Sequence, residues 1–302
     1  MYFYNHLMQG HPYSFSHDLD LQLAALSRIT PESLVKYHDQ VITPNNTILF
    51  IYGDFKLDLM KGIISKYFNN WAKNQIKVKQ PKIKENKATY GQILLVNKPD
   101  ATQAKIKMGY NFFDQSFLDR NIKERVSFEI ANQIYGGGDF ESYLMNEIRS
   151  EKGYAYDINA DFFNQPLGGA YFISTSVKPE KTYETITTIK KIMNDVKTGK
   201  QKIEEAEVFK IINQRNAFFP EAFRDNDSII NNLIMNVEFK KRDPDYLNQY
   251  IRLYNTVTVL TAQKAFAKYT FPEKFFTVIV GNKEKILPQF QVNGIEVKIV
   301  EL

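Results

Sequence analysis

GGGDFESYLMNEIRSEKGYAYD, residues 136–157, is the stretch around which the rest of the chain arranges itself. The glycines at its head allow a tight backbone turn or a close approach to a bound chain. Phe140, Leu144 and Ile148 recur every fourth residue, which predicts apolar side chains along one helix face. Gly153 suits the stop of that helix, and Tyr154 to Ala160 alternates as a strand does. Arg149 then falls in the last helical turn and Tyr156 on the strand that follows. A guanidinium and a phenol brought together in this way can both donate to one carbonyl oxygen or oxyanion. The same residues also have a purely structural reading. An Arg in a last turn satisfies the final carbonyls and complements the helix dipole, and a Tyr on a strand packs half-buried. Spacing alone favours the structural reading and leaves the chemical one open.

With 302 residues, 43% hydrophobic and 24% charged, the chain has room for one large or two smaller globular domains. The net charge of +5 is mild. The absence of cysteine excludes disulfides and thiolate metal sites, yet leaves the compartment open between periplasm and cytoplasm. No apolar run is long enough to span a membrane. His6, His11 and His17 stand at spacings that share no helix face and read as loop or packing histidines rather than ligands. His11-Pro12-Tyr13 reads as extended or turn. From Lys73 to Lys87, six lysines face the single Glu85 around Pro81, as in an exposed extended linker. That run lacks arginine and stacking aromatics, so no nucleic-acid partner is expected.

Thr30-Pro31-Glu32 predicts a helix start, with the helix running to about Gln40. Thr47 to Tyr52 is a short continuous apolar run that predicts a buried strand, and Leu57 to Phe68 a further helix. Beyond the lysines, strands are predicted at Gln92–Asn97, Lys105–Tyr110, Ala170–Val177 and Phe275–Val280. Helices are predicted at Asn121–Tyr135, Glu180–Lys197, Ile203–Phe218, Asp227–Asn236, Pro244–Tyr254 and Thr258–Lys268. One repeat runs through this pattern. TPNNTILFIYGD (Thr43 to Asp54) aligns without gaps to FPEKFFTVIVGN (Phe271 to Asn282), and the same offset pairs Thr30 with Thr258. Duplication explains the match. By comparison with the second copy, roughly 140 residues of a complete first unit are expected to be missing before this chain begins.

GGG, then FESYL, then NEIRSEKGYAY resembles the second-half motif of the M16 zinc peptidases (insulinase, pitrilysin, mitochondrial processing peptidase). In that family a glycine-rich turn leads to a helix ending in Arg, followed by a Tyr on a strand. The resemblance implies that Arg149 and Tyr156 hold substrate and stabilise the tetrahedral intermediate. It also implies that Gly136, Gly137, Gly138 and Phe140 line the bound chain. Asp139, after the glycines, and Tyr143, where a basic residue is common, depart from the pattern. The implied fold is α+β, of the M16 (LuxS/MPP-like) type, an antiparallel or mixed sheet with helices packed on one face. Residues 1–75 would be the remainder of a first unit, 76–89 a linker and 90–302 a complete second unit. The family's first half carries zinc on a His-x-x-Glu-His helix, a motif absent here: His6 and His11 enclose LMQG. No metal is therefore expected on this chain, and zinc only on a missing half or a partner. The family's HPY segment lies in a loop after the zinc helices, which agrees with packing roles for these histidines.

Three functions fit these readings. The chain is the substrate-holding, transition-state-stabilising part of an M16-type metallopeptidase, inactive alone, or a non-catalytic scaffold or partner subunit, or an unrelated α+β binding module without internal two-fold similarity. The first two imply a peptide or protein substrate and a homo- or hetero-oligomer with a zinc-bearing M16 subunit. An incomplete first unit exposes apolar surface, which predicts a dimer or partner contact there.

Overall fold

The structure is a computed structural model describing residues 2–15, 18–73, 81, 83, 85–112, 121–137, 140–165, 167–239, 242–243 and 245–301. In chain order the first elements are α1 (Tyr2–Leu7), α2 (Pro12–Phe15), α3 (Leu19–Leu26), α4 (Pro31–Val41) and α5 (Leu57–Phe68). Then come β1 (Ile93–Asn97), β2 (Ala104–Phe112), α6 (Ile122–Gly136), a π-helical segment Met145–Glu151, β3 (Ala155–Gln165) and β4 (Gly168–Val177). The chain continues through α7 (Thr182–Thr198), α8 (Glu205–Phe218), α9 (Asn226–Leu233), a second π-helical segment Ile234–Phe239 and α10 (Tyr246–Asn255). It ends with α11 (Val259–Tyr269), β5 (Phe276–Gly281), α12 (Lys283–Gln291) and β6 (Lys298–Glu301).

The strands form one six-stranded sheet in the order β3-β4-β2-β5-β1-β6. β3, β4, β2 and β5 pair antiparallel in turn, whereas β1 runs parallel to both β5 and β6. The sheet is therefore mixed and the class α+β, as expected. β1 is buried along its whole length, as the apolar run in its sequence requires of a strand covered on both faces. The main core lies between one face of the sheet and α6, α7, α8 and α11, where Ile106, Tyr110, Phe128, Ile189, Phe266 and Ile279 meet. A smaller cluster covers the opposite face: Phe3, Leu7 and Met8, from α1 and its end, pack on Leu94, Val96, Phe276 and Val278. Most helices are thus on one face, and α1, with Tyr13 of α2 beside it, packs on the other.

Several local expectations change. His11-Pro12-Tyr13 opens the one-turn helix α2, with proline at the first helical position where its missing N–H costs nothing. His11 is buried, with its Nδ1 accepting from Tyr13 N at 3.1 Å and its Nε2 2.7 Å from Pro81 O. That makes it a packing histidine. His6 stacks on Phe276 at 5.1 Å, and His17 lies outside the described residues. Within the lysine-rich run, Ile83 N donates to Leu167 O at 3.1 Å and Glu85 pairs with Lys274 at 3.0 Å. The described part of that run is thus fastened to the residues that precede β4 and β5. α3, α12 and β6 carried no signal that the sequence reading used. α12 follows β5 as α5 follows residues 47–52, so the repeat itself foreshadows it.

The strand expected at Thr47–Tyr52 does not form, and this is the main correction to the sequence reading. The two halves of the repeat agree in every local respect. α4 and α11 both have 11 residues, and each starts with a threonine capping box, Thr30 with Ser33 and Thr258 with Thr261. Each is followed by a 3₁₀ turn, Pro44–Asn46 and Pro272–Lys274. After that turn the second copy becomes β5, hydrogen-bonded to β2 on one side and β1 on the other. The first copy finds no flanking strands among the described residues and stays unpaired, with Ile48, Leu49, Ile51 and Tyr52 exposed. α4 and α5 likewise bury no residue, although both show apolar faces.

Ile51 and Ile279 occupy equivalent positions in the repeat, 37% and 0% exposed. Ile279→Ala is expected to cost about 2–5 kcal/mol of stability, the range for emptying a packed aliphatic site. Ile51→Ala is expected to cost about 0.5 kcal/mol or less, as exposed substitutions do. Urea unfolding of the two variants measures both values.

Candidate functional site

α6 ends at Gly136, which sits tightly against its surroundings. A Cβ there would stand 2.7 Å from Leu144 Cδ1 and 2.9 Å from Ala160 Cβ. Only glycine lets the end of α6, the π-helical segment and β3 meet at this distance. At Gly137 a Cβ would lie 2.7 Å from Gln133 Cα, and the Gln133 side-chain amide donates to Gly137 O at 2.9 Å. These two glycines therefore join α6 to the site, and Gly138 lies outside the described residues.

Leu144 and Ile148 are fully buried, as their spacing predicts, but Phe140 is 65% exposed. The helix expected from Phe140 does not begin until Tyr143, and from Met145 it widens to π geometry, with Lys152 N donating to Glu147 O at 3.1 Å. Short π segments recur at functional sites. The helix stops at Gly153, whose φ of +61° is the left-handed region glycine favours, with Gly153 N and Tyr154 N donating to Arg149 O and Ile148 O. Tyr143, at the position where a basic residue is common, donates its hydroxyl to Glu207 at 2.6 Å and so ties the segment to α8.

Arg149 and Tyr156 come together. The Arg149 guanidinium carbon stands 5.3 Å from the Tyr156 ring centre and 4.5 Å from that of Phe140, within the range of cation–π attraction. No carboxylate among the described residues forms an ion pair with Arg149. Tyr156 is 80% exposed, unusual for a large aromatic on a strand. The cause is local: the pairing of β3 with β4 jumps from Ala155 to Ile158, so Tyr156 and Asp157 form a β-bulge at the sheet edge. A bulge turns a side chain out of the regular alternation. Nothing in the sequence signals it, nor the stacking of Phe140 on Arg149. The result is a positive guanidinium beside an accessible phenol, two donors with no acceptor among the described residues, able to hold a carbonyl oxygen or a developing oxyanion.

A second polar centre lies behind α6. Glu129 accepts from Arg125 Nε at 2.8 Å and from the Tyr254 hydroxyl, with Arg215 at 3.8 Å. Burial alone would raise its carboxyl pKa; Arg125, Arg215 and Tyr254 overcome that and hold it at about 2. Among the described residues no group of three or more His, Asp or Glu side chains is close enough to share a metal ion. These residues therefore do not fit a zinc site, and no step is assigned to a metal on them.

A mixed six-stranded sheet with its main helix layer on one face, and an Arg–Tyr donor pair at one edge, defines an α+β domain. The sequence profile described as Peptidase M16 inactive domain matches residues 28–215, more than half of the chain, and the chain belongs to that family. An uncharacterised zinc protease of Mycobacterium leprae is 22% identical over 174 residues, 58% of this chain and 38% of that protein. This chain thus spans well under half of that relative. Among solved structures, the peptidase M16 inactive domain from Pseudomonas fluorescens superposes with a TM-score of 0.78 at 20% identity, covering 92% of this chain and 63% of that one. The periplasmic protease PqqL of Escherichia coli gives 0.72 at 17% identity, covering 86% and 28%. No helix among the described residues is long and apolar enough to cross a membrane.

Tyr156→Ala is expected to change stability by about 0.5 kcal/mol or less, since the ring is exposed; thermal unfolding tests this, and a larger loss would make Tyr156 a packing residue. Because the folded-state pKa of Glu129 is depressed, the stability it confers is complete above its ordinary value of 4.5 and fades as pH falls toward about 2. Glu129→Gln is expected to flatten the fall in stability over that interval, read from urea midpoints at a series of pH values.

Proposed function

We propose that this chain is the substrate-holding, transition-state-stabilising part of an M16-type metallopeptidase, completed by a zinc-bearing half or a zinc-bearing partner. The observation that carries this reading is the meeting of Arg149 and Tyr156 at an exposed edge, with the guanidinium 5.3 Å from the phenol ring. A buried packing tyrosine or a cap-only arginine has no need of that arrangement. In this reading both groups donate to the scissile carbonyl oxygen as charge develops on it. Phe140 holds the guanidinium in place from its other side. Gly136 and Gly137 shape the turn over which a peptide substrate passes; Gly138 lies outside the described residues. Zinc and its activated water belong to that half or partner.

The same reading divides the chain into residues 1–75 as the tail of a first unit, 76–89 as a linker and 90–302 as a complete second unit. The repeat supports this division, since residues 30–54 reproduce the local structure of 258–282 without its sheet. The unpaired segment 47–52, with α4 and α5, then forms the contact with the zinc-bearing half or partner, or with a second copy. A non-catalytic scaffold within the same complex is the second reading, and the apolar surface of α4 and α5 is the observation in its favour.

One experiment separates the two. Alone, the chain is expected not to hydrolyse peptides. Co-expressed with a His-x-x-Glu-His M16 polypeptide, it forms an active complex in which Arg149→Ala lowers kcat by about 10²–10³-fold, the cost of removing an oxyanion donor, while co-purification is unchanged. Full activity in the Arg149→Ala and Tyr156→Phe complexes would leave only the scaffold.

A further inference from the structure

At the far end of β3 from Tyr156, α6, α8, α10 and the last residues of the strand enclose a cavity of about 710 Å³. The residues of β3 that line it, Asp161 to Gln165, stand roughly 16–30 Å along the strand from Tyr156. Its volume is that of an ordinary small-ligand site. We propose that this cavity binds a single carboxylate attached to an aromatic or aliphatic body, carried by the C-terminal residue of a peptide or by a free amino-acid derivative.

Charge comes first. Among the described residues, three guanidinium groups line the cavity, Arg125, Arg215 and Arg242, beside two carboxylates, Glu129 and Asp161. Both carboxylates are engaged. Glu129 is held by Arg125, Arg215 and Tyr254, and Asp161 accepts from Phe162 N at 2.7 Å. Among the described lining residues guanidinium groups thus outnumber carboxylates, which suits an anionic head group.

The second observation is a shortage of acceptors. Arg215 Nε, on α8, and Asn164 Nδ2, on β3, are buried without a hydrogen-bond partner among the described residues, and both residues line the cavity. An unmet buried donor is destabilising, and a ligand that brings only acceptors satisfies it. A carboxylate has four lone-pair sites and no donor, and its two oxygens match the planar fork of a guanidinium.

The third is an aromatic wall. Phe219 stacks on Tyr250 at 4.8 Å, and Tyr250 meets Tyr254 at 4.6 Å. Arg242 lies 4.0 Å over the Tyr246 ring, and its Nη1 donates to Asn236 Oδ1 at 2.7 Å. Rings beside fixed cations accept an apolar body next to a negative head, the composition of an apolar amino acid at a chain end. The site shares no residue with the Arg149–Tyr156 pair, so it stands whether or not the peptidase reading does.

The test is calorimetric titration of the full chain with an alanine-rich peptide ending in phenylalanine, its C-terminal amide, and N-acetylphenylalanine. The free-acid peptide is expected to bind saturably and the amide at least about tenfold more weakly, equal to about 1.4 kcal/mol. Asn164→Leu and Arg215→Gln are each expected to weaken the acid by a similar factor, whereas Arg149→Ala leaves it unchanged. Asn164→Leu decides the matter if Arg215→Gln unfolds the chain by leaving Glu129 underpaired. Tighter binding of the peptide than of N-acetylphenylalanine makes a peptide end the source, and equal binding makes it the free acid. The proposal falls if acid and amide bind alike, if neither saturates at millimolar concentration, or if Asn164→Leu has no effect.

Discussion

A central strand exists only where another strand stands on each side of it. β5 illustrates the requirement: its backbone groups are divided between β2, antiparallel, and β1, parallel, so that Ile279 faces Ile106 on one side and Leu95 on the other. Every buried N–H and C=O along it is thereby answered. Residues 47–52 have the same apolar character, the same capped helix before them and the same 3₁₀ turn, and they remain unpaired. The difference between the copies is not in their local sequence but in the presence of neighbours, which is why strand propensity depends so heavily on context.

The site depends on the same sheet. Because β4 pairs with β2 on one side and β3 on the other, β3 is held as an edge strand by a single partner, and an edge strand tolerates a bulge that a central strand would not. The bulge lifts Tyr156 out of the alternation. The closeness permitted at Gly136 fixes how near the π-helical segment lies to β3, and so how near Arg149 comes to the phenol. The glycine-rich turn therefore acts on the pair at one remove, by allowing three backbones to crowd together. Ala160, on the same strand as Tyr156, is the surface against which that crowding occurs.

Two kinds of arginine are present, and the contrast between them carries the functional argument. Arg125 and Arg215 converge on Glu129, which stays ionised despite its burial because breaking such a cluster would strand a charge in a low-dielectric interior. Arg149, by contrast, stands between two rings, its charge met by π faces. Aromatic stacking orients a guanidinium while leaving its N–H groups available, whereas a carboxylate would occupy them.

The sequence alone determined what depends on neighbours close along the chain. The capping boxes at Thr30 and Thr258, the apolar periodicity of α6, α7 and α11, the stop at Gly153 and the buried runs of β1 and β5 are short-range, and each appears where it was expected. The repeat and the spacing of Arg149 and Tyr156 were legible for the same reason. The tertiary structure alone decided what depends on distant partners. That Thr47–Tyr52 would lack a sheet, that Phe140 would leave the helix face to cover Arg149, and that a bulge would expose Tyr156 all follow from which backbone lies alongside. The cavity behind α6 belongs with them, since Arg125, Asn164, Arg215 and Arg242 are far apart in sequence and meet only where three helices close on the end of a strand. A backbone hydrogen bond or a packed ring is satisfied through space, and no periodicity along the chain encodes which remote segment will supply it.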